Sequence, residues 1–241
     1  MLEEQPLTPA DLGARLVERW PNVPGDDLAY VVRCHLPVVQ VPPRGVWGAS
    51  GPPALAPADT WTGLALDTRP DPEALVLRYL AAFGPATVKD VQAWSGLTRL
   101  REVVDRLRDQ LVVLRGEDGE ELLDLPGAPR PDPDTPAPVR FLYDFDNLLR
   151  GHADRSRVIS ADGLRRISAR NGMPPATVLV DGEVRAAWTV VRAPGSATVE
   201  VAPFEPLNPA VTDEVVEEGL RLLRFLEPDR DQHAIRVIDA G

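Results

Sequence analysis

"GPATVKDVQAWSGLTRLREVVDRLRDQL", Gly84 to Leu111, is the stretch whose reading decides the fold. Thr87 stands as an N-cap ahead of Val88, Val91 and Trp94, which share an inward face, and Gly96 supplies a turn. Beyond it Leu97, Leu100, Val103, Val104, Leu107 and Leu111 recur at helical spacing as one apolar stripe. Two short helices joined by a tight turn are therefore predicted. The second carries Thr98, Arg99, Arg101 and Glu102 near its start, where a helix-turn-helix presents residues to base edges. The competing reading is a solvated face with i,i+4 pairs such as Arg101–Asp105. Charge favours the latter. Arg99, Arg101, Arg106 and Arg108 share the face with Glu102, Asp105 and Asp109, and the following "RGEDGEE" would repel phosphate. Scaffolding is the expected role of this helix, with Arg99 and Arg101 kept as DNA candidates.

The flanks extend the pattern. Upstream, "DPEALVLRYLAAFG" reads as an amphipathic helix ended by Gly84. Downstream, "VVLRGEDGEELLDLP" reads as two strands around Asp118-Gly119. Helix, turn, helix and hairpin follow one another in winged-helix order. The same order is legible earlier in the chain. "PLTPADLGARLVERWP" offers Thr8 as N-cap and Pro9 at the first helical position. "GDDLAYVVRCHLPVV" places Leu28, Val31, Val32 and His35 or Leu36 on one face. "VVQVPPRGVWG" reads as a strand and turn, with "APADTW" as the return. The two units are expected to be copies of one supersecondary arrangement without a repeat in sequence. The first turn carries Arg44, suited to a phosphate, and Trp47, which could stack but is more often core.

The Pro-rich "APRPDPDTPAP" (128–138) reads as an extended connector. After it, "ATVLVDGEVRAAWTVVR" gives two strands joined at Asp181-Gly182, and "SATVEVAPF" gives a third. "TDEVVEEGLRLLRFLEP" is an amphipathic helix with Thr212 as N-cap, and "HAIRVID" closes as a strand. The expected fold is α+β: a winged helix over 1–66, a second over 67–129, a linker over 130–138, and a β-barrel-like domain with a packed helix over 139–241.

Composition bounds the function. The chain has 241 residues, 44% of them hydrophobic, and a net charge of −11. No apolar run is long enough to span a membrane, and the N-terminus has no signal-peptide pattern. The single cysteine, Cys34, cannot form an internal disulfide, which suits the cytoplasm. The three histidines, 35, 152 and 233, sit at no metal spacing, and neither a Gly-rich phosphate loop nor GxSxG occurs. No metal and no cofactor are expected. Lys89 is the sole lysine, so the arginine excess partly reflects a GC-rich bacterial genome.

Positive charge concentrates in one place. Within "YDFDNLLRGHADRSRVISADGLRRISAR", the run from Arg150 to Arg170 sets Arg150, Arg155, Arg157, Arg165, Arg166, Arg170 and His152 against Asp154 and Asp162. That suits a phosphate backbone. Asp144, Asp146 and His152 also have general acid/base character. The alternative is an Asp–Arg–His network that staples a loop to the barrel.

Taken together, "PLTPADLGARLVERWP", "VVQVPPRGVWGASG", "YLAAFGPATVKDVQAWSGLTRLREVVDRL", "FDNLLRGHADRSRVI" and "ATVLVDGEVRAAW" resemble the bacterial winged-helix DNA glycosylases of the AlkZ/YcaQ type. The resemblance implies excision of bulky alkylated or crosslinked bases, and a fold of three tandem winged helices and a β-barrel around a concave DNA surface. It also implies a catalytic Gln-x-Gln motif in an N-terminal winged helix that precedes the segment resembling "PLTPADLG". Gln40 falls in the second unit of the family pattern and is not that motif.

Three function classes follow. The first is a DNA-binding protein related to DNA-repair glycosylases that does not catalyse by itself. It would bind double-stranded DNA weakly through Arg44, Arg150, His152, Arg155 and Arg157. The second is an active glycosylase that uses a partner chain or Asp144, Asp146 and His152. The third is an interaction protein that has lost DNA binding. A homodimer or companion chain is expected to cover part of residues 1–66.

Overall fold

Thr8 caps helix α1 (Pro9–Val17) by accepting from the Asp11 amide, with Pro9 in the first turn, as expected. Helix α2 (Gly25–His35) lies against it so closely that a Cβ on Gly13 would come within 2.5 Å of the Gly25 carbonyl oxygen. That contact sets the rotation of α2. Gly25, Leu28, Ala29 and Val32 turn inward, whereas Val31 and Leu36 are each 53% exposed, a shift from the expected face. Strands β1 (Val38–Val41) and β2 (Ala54–Pro57) pair antiparallel. The return strand thus comes earlier than "APADTW". Pro57 ends the ladder, and Ala58–Thr62 forms the short helix α3, closed by Gly63 at φ 69°. Ahead of α1, Leu7 exchanges both backbone hydrogen bonds with Leu55, at 3.1 and 2.8 Å.

The computed structural model describes residues 1–168 and 172–238. It divides into two compact units, Met1–Pro70, built from the elements above, and Asp71–Gly241.

The second unit opens with α4 (Pro72–Phe83), capped by Asp71, then α5 (Val88–Ser95), where Thr87 and Asp90 form a capping box. Gly96 makes the turn at φ 72°. Helix α6 (Leu100–Leu107) starts later than its apolar stripe predicts, and one 3-10 turn, Arg108–Gln110, follows it. Gln92 accepts from the Leu100 amide at 3.2 Å and so fixes the start, leaving Arg99 left-handed at φ 61° and Leu97 43% exposed. Val76, Tyr79, Leu80, Val91, Leu100, Val104, Leu107 and Leu123 form the core. Trp94 is 40% exposed and packs its ring on Tyr79 and Phe83 instead of entering that core. Strands β3 (Val112–Arg115) and β4 (Glu121–Asp124) form the hairpin around Gly119. Ala86 pairs with Leu123 as Leu7 pairs with Leu55.

These two helix–helix–hairpin arrangements do share a sequence signature. Pro6-Leu7-Thr8-x-x-Asp11-Leu12 and Pro85-Ala86-Thr87-x-x-Asp90-Val91 occupy the same place in each. In both, the Thr hydroxyl donates to the Asp carboxylate at 2.7 Å and accepts from the Asp amide. The repeat is short because only the bridge residue and the cap are shared.

Beyond a proline-rich stretch without helix or strand, five strands form one sheet in chain order: β5 (Arg140–Leu142), β6 (Ala176–Val180), β7 (Glu183–Ala193), β8 (Ser196–Pro203) and β9 (Gln232–Val237). Asp181 and Gly182, at φ 51° and 78°, make the expected β6–β7 turn. β8 and β9 run parallel, so a crossover must join them, and α8 (Pro209–Leu226) supplies it. Asn208, not Thr212, caps α8, because Pro209 can occupy the first turn one residue later. Val215 and Leu223 pack it onto Val178, Val199 and Val201, and Gly219 lets Ile235 and Phe141 come close. The barrel-like closure does not occur among the described residues: β5 and β9 are the two edges of an open sheet. A further helix, α7 (Ala161–Ile167), capped by Ser160, stands where the sequence reading placed only a basic run.

Candidate nucleic-acid interface

The segment between β5 and α7 carries most of the sequence candidates. It is held onto α4 and α5 as well as onto the sheet, where the Val158 carbonyl accepts from the Val184 amide at 2.7 Å and Leu149 and Ile159 pack with Val184. Tyr79 donates its hydroxyl to the Gly151 carbonyl at 2.5 Å. Gly151 fits there because a Cβ would meet the Phe83 ring at 2.8 Å. His152 Nε2 lies 3.0 Å from the Phe83 carbonyl, which makes it the donor. Asp90, already the cap of α5, uses its other oxygen to accept from the Ala153 amide at 2.9 Å. The capping acid of the repeat is thus reused as a tie between two parts of the unit.

The electrostatics of this staple are coherent. Burial pushes the Tyr79 hydroxyl far up, and the Asp90 charge adds to the effect. Burial works against a charged Asp90 but is outweighed by hydrogen bonds from Thr87 and Ala153, so its carboxyl sits below the usual range. Burial, reinforced by the Arg157 guanidinium, holds His152 below its ordinary value against the pull of Asp90. His152 is therefore a positioned, neutral ring in the wall of the segment.

The arginines fall into two sets. Those of α6 and of the 3-10 turn after it are tied to acids: Arg101 and Arg108 both reach Glu121, at 3.2 and 2.6 Å, and Arg106 reaches Glu73 at 2.7 Å. Arg99, exposed, precedes the helix. In the other set Arg150 lies over the Phe145 ring at 4.7 Å, Arg155 donates to the Leu149 carbonyl, and Arg157 approaches the Pro85 carbonyl. Among the described residues none of these three forms a carboxylate ion pair; Arg150 and Arg155 share a cleft with Asp144 and Asp146, whereas Arg157 lies on a separate cleft with Asp90, Asp154, Glu117, Asp118 and Glu120. Arg165 and Arg166 both bridge Asp162, and Arg170 lies outside the described residues.

Arg150, His152 and Arg155 line a cleft of about 630 Å³ together with Asp144, Asp146, Leu164 and Ile167. Asp146 is occupied in accepting from the Leu148 amide at 2.8 Å. Asp144 differs: its Oδ1 is buried with no hydrogen-bond partner among the described residues. Arg44 belongs to the other compact unit, on the exposed loop between β1 and β2. Among the described residues no group of His, Cys, Asp or Glu is placed to hold a metal, and no helix is long and apolar enough to cross a membrane. The sequence reading missed Tyr79 and Asp90, whose helical spacing and capping position look structural until the fold brings residues 151–153 to them.

Repeated helix–helix–hairpin arrangements, an open sheet and a cleft lined by Arg150 and Arg155 define an α+β protein of a particular architecture. Residues 1–225 match the DNA glycosylase AlkZ-like family, and the chain belongs to it. Its fold is similar to that of the DNA glycosylase AlkZ of Streptomyces sahachiroi, with a TM-score of 0.71 at 19% identity over 98% of this chain. The match covers 66% of that protein, so the chain spans just under two thirds of its length. No curated protein matches the chain.

Proposed function

We propose that this chain is a winged-helix DNA-binding protein of the glycosylase family that grips the duplex through its sugar–phosphate backbone and leaves base excision to groups it does not itself present. The observation that carries this reading is the contrast between the arginines. In a chain of net charge −11, Arg150 and Arg155 line one cleft and, like Arg157 nearby in sequence, form no carboxylate ion pair among the described residues, while Arg101 and Arg108 share Glu121 and Arg106 pairs with Glu73. Phosphate neutralisation draws on cations that are not already held in ion pairs. The two helix–helix–hairpin arrangements are read as winged helices. The site of action is the cytoplasm, with the bacterial chromosome. A homodimer or companion chain would cover part of residues 1–66, where Tyr30, Val31 and Leu36 are exposed.

A second reading, glycosylase activity within this cleft, is favoured by one observation, the unpartnered Asp144 Oδ1. Asp146 and His152 are already engaged in local hydrogen bonds. One assay separates the readings: an alkylated duplex titrated with the protein over a range of salt. The proposal expects weak binding that fades as salt rises, with the modified base retained. Saturable base release would establish the second reading. Absence of binding at low salt would leave an interaction protein that has lost its DNA.

A further inference from the structure

Between Leu28 and Ala58 the sequence holds no Asp or Glu, although the chain has 37 acidic residues. This stretch contains the last turns of α2, with Arg33 stacked on Tyr30 at 5.5 Å, and the loop that joins β1 to β2. The equivalent loop of the second unit spans only 116–120 and carries Glu117, Asp118 and Glu120. The loop of the first unit spans 42–53, and residues 42–50 are all exposed.

Its backbone is built rather than slack. The Val46 amide donates to the Pro43 carbonyl at 3.2 Å, and the Ala49 amide donates to the Val46 carbonyl at 3.1 Å. These are two successive β-turns. Gly45 and Gly48, at φ 88° and 70°, hold the third position of each, where a left-handed residue is needed. Arg44 and Trp47 therefore sit at the same corner of consecutive turns. Trp47 is 67% exposed and Val46 50%. A large aromatic ring held outward on ordered turns, beside an arginine and far from any acid in sequence, has the chemistry of a wedge. Such wedges enter the minor groove, unstack a base step, and are held by cations on the adjacent phosphates.

We infer that the 42–53 loop is a minor-groove wedge for duplex DNA, with Trp47 entering the base stack and Arg44 holding a neighbouring phosphate. This rests on the proposed DNA binding and adds to it a second contact, of a different kind, in the first unit. Charge complementarity selects the occupant: an acid-free arginine-bearing loop suits a polyanion better than an acidic protein such as a second copy of this chain.

The test uses the full chain and a short duplex with 2-aminopurine, whose fluorescence rises on unstacking, at its centre. Binding is followed by anisotropy and unstacking by 2-aminopurine emission, for the parent, Trp47→Ala, Trp47→Phe and Arg44→Ala. The wedge predicts a rise in emission with the parent that Trp47→Phe keeps and Trp47→Ala abolishes, with affinity falling roughly ten- to a hundredfold in the alanine variant. Arg44→Ala should weaken binding and lower its salt dependence while keeping the emission rise. Parent binding with no rise, and an unchanged Trp47→Ala, would overturn the wedge and leave the arginine cleft as the DNA-binding surface. No binding by the parent would overturn both. Preference of the parent for anionic phospholipid vesicles over the duplex would mark the loop as lipid-binding and also overturn it.

Discussion

His152 shows how one side chain is drawn from chemistry into architecture. In sequence it is a candidate phosphate ligand or general acid. The structure aims its Nε2–H at the Phe83 carbonyl and sets Tyr79, Asp90 and Arg157 around it. Its pKa lies below the ordinary 6.5 because burial and Arg157 disfavour the imidazolium more than Asp90 supports it. The unfolded chain therefore binds more protons than the native one just below that value, and stability rises with pH through the window. Asp90, also depressed, stays ionised there, and Tyr79 stays neutral. Melting temperature should accordingly fall as pH drops from about 7.5 to about 5, and His152→Asn should flatten that slope. An equal slope in both proteins would place the sensitive group elsewhere. None of this is legible from the run "LLRGHADRSR", because the groups facing His152 lie on α4 and α5, far away in sequence.

Elements are legible where their signals are local. Thr8, Thr87, Asp118-Gly119 and Asp181-Gly182 mark caps and turns that the fold uses as read. Signals mislead where a distant or competing group decides. Gln92 moves the start of α6, Asn208 takes the cap from Thr212, and Pro57 cuts short the return strand. The sheet stays open because the β8–α8–β9 crossover makes a parallel edge, and alternating polarity alone does not report whether the outer strands meet. The rotation of α2 depends on Gly13 meeting Gly25, a contact invisible to periodicity. Gly13→Ala should force α1 and α2 apart and destabilise the first unit by about 1–3 kcal/mol. Chemical denaturation checks this, and a variant as stable as the parent would mean that the helices shift at no cost.

The whole molecule sets a strongly acidic chain against a few cations that form no ion pair among the described residues. The acidic surface should repel the duplex and keep binding weak, so what matters is where the remaining attraction resides. Along α6 and the turn after it, Arg101 and Arg108 share Glu121 and Arg106 pairs with Glu73 across the fold. Neutral carbonyls and an aromatic ring hold Arg150 and Arg155 on the cleft and Arg157 a few residues beyond it, none of the three in an ion pair among the described residues. The most direct measurement is duplex affinity against salt concentration for three proteins confirmed as folded by their melting curves. These are the parent, a variant combining Arg150→Ala with Arg155→Gln and Arg157→Gln, and a variant combining Arg99→Ala with Arg101→Ala. The cleft variant should bind more weakly, its salt slope shallower by about 0.9 for each phosphate it no longer neutralises, while the α6 variant matches the parent. Weaker binding and a shallower slope in the α6 variant, with the cleft variant unchanged, would contradict a DNA grip centred on the cleft.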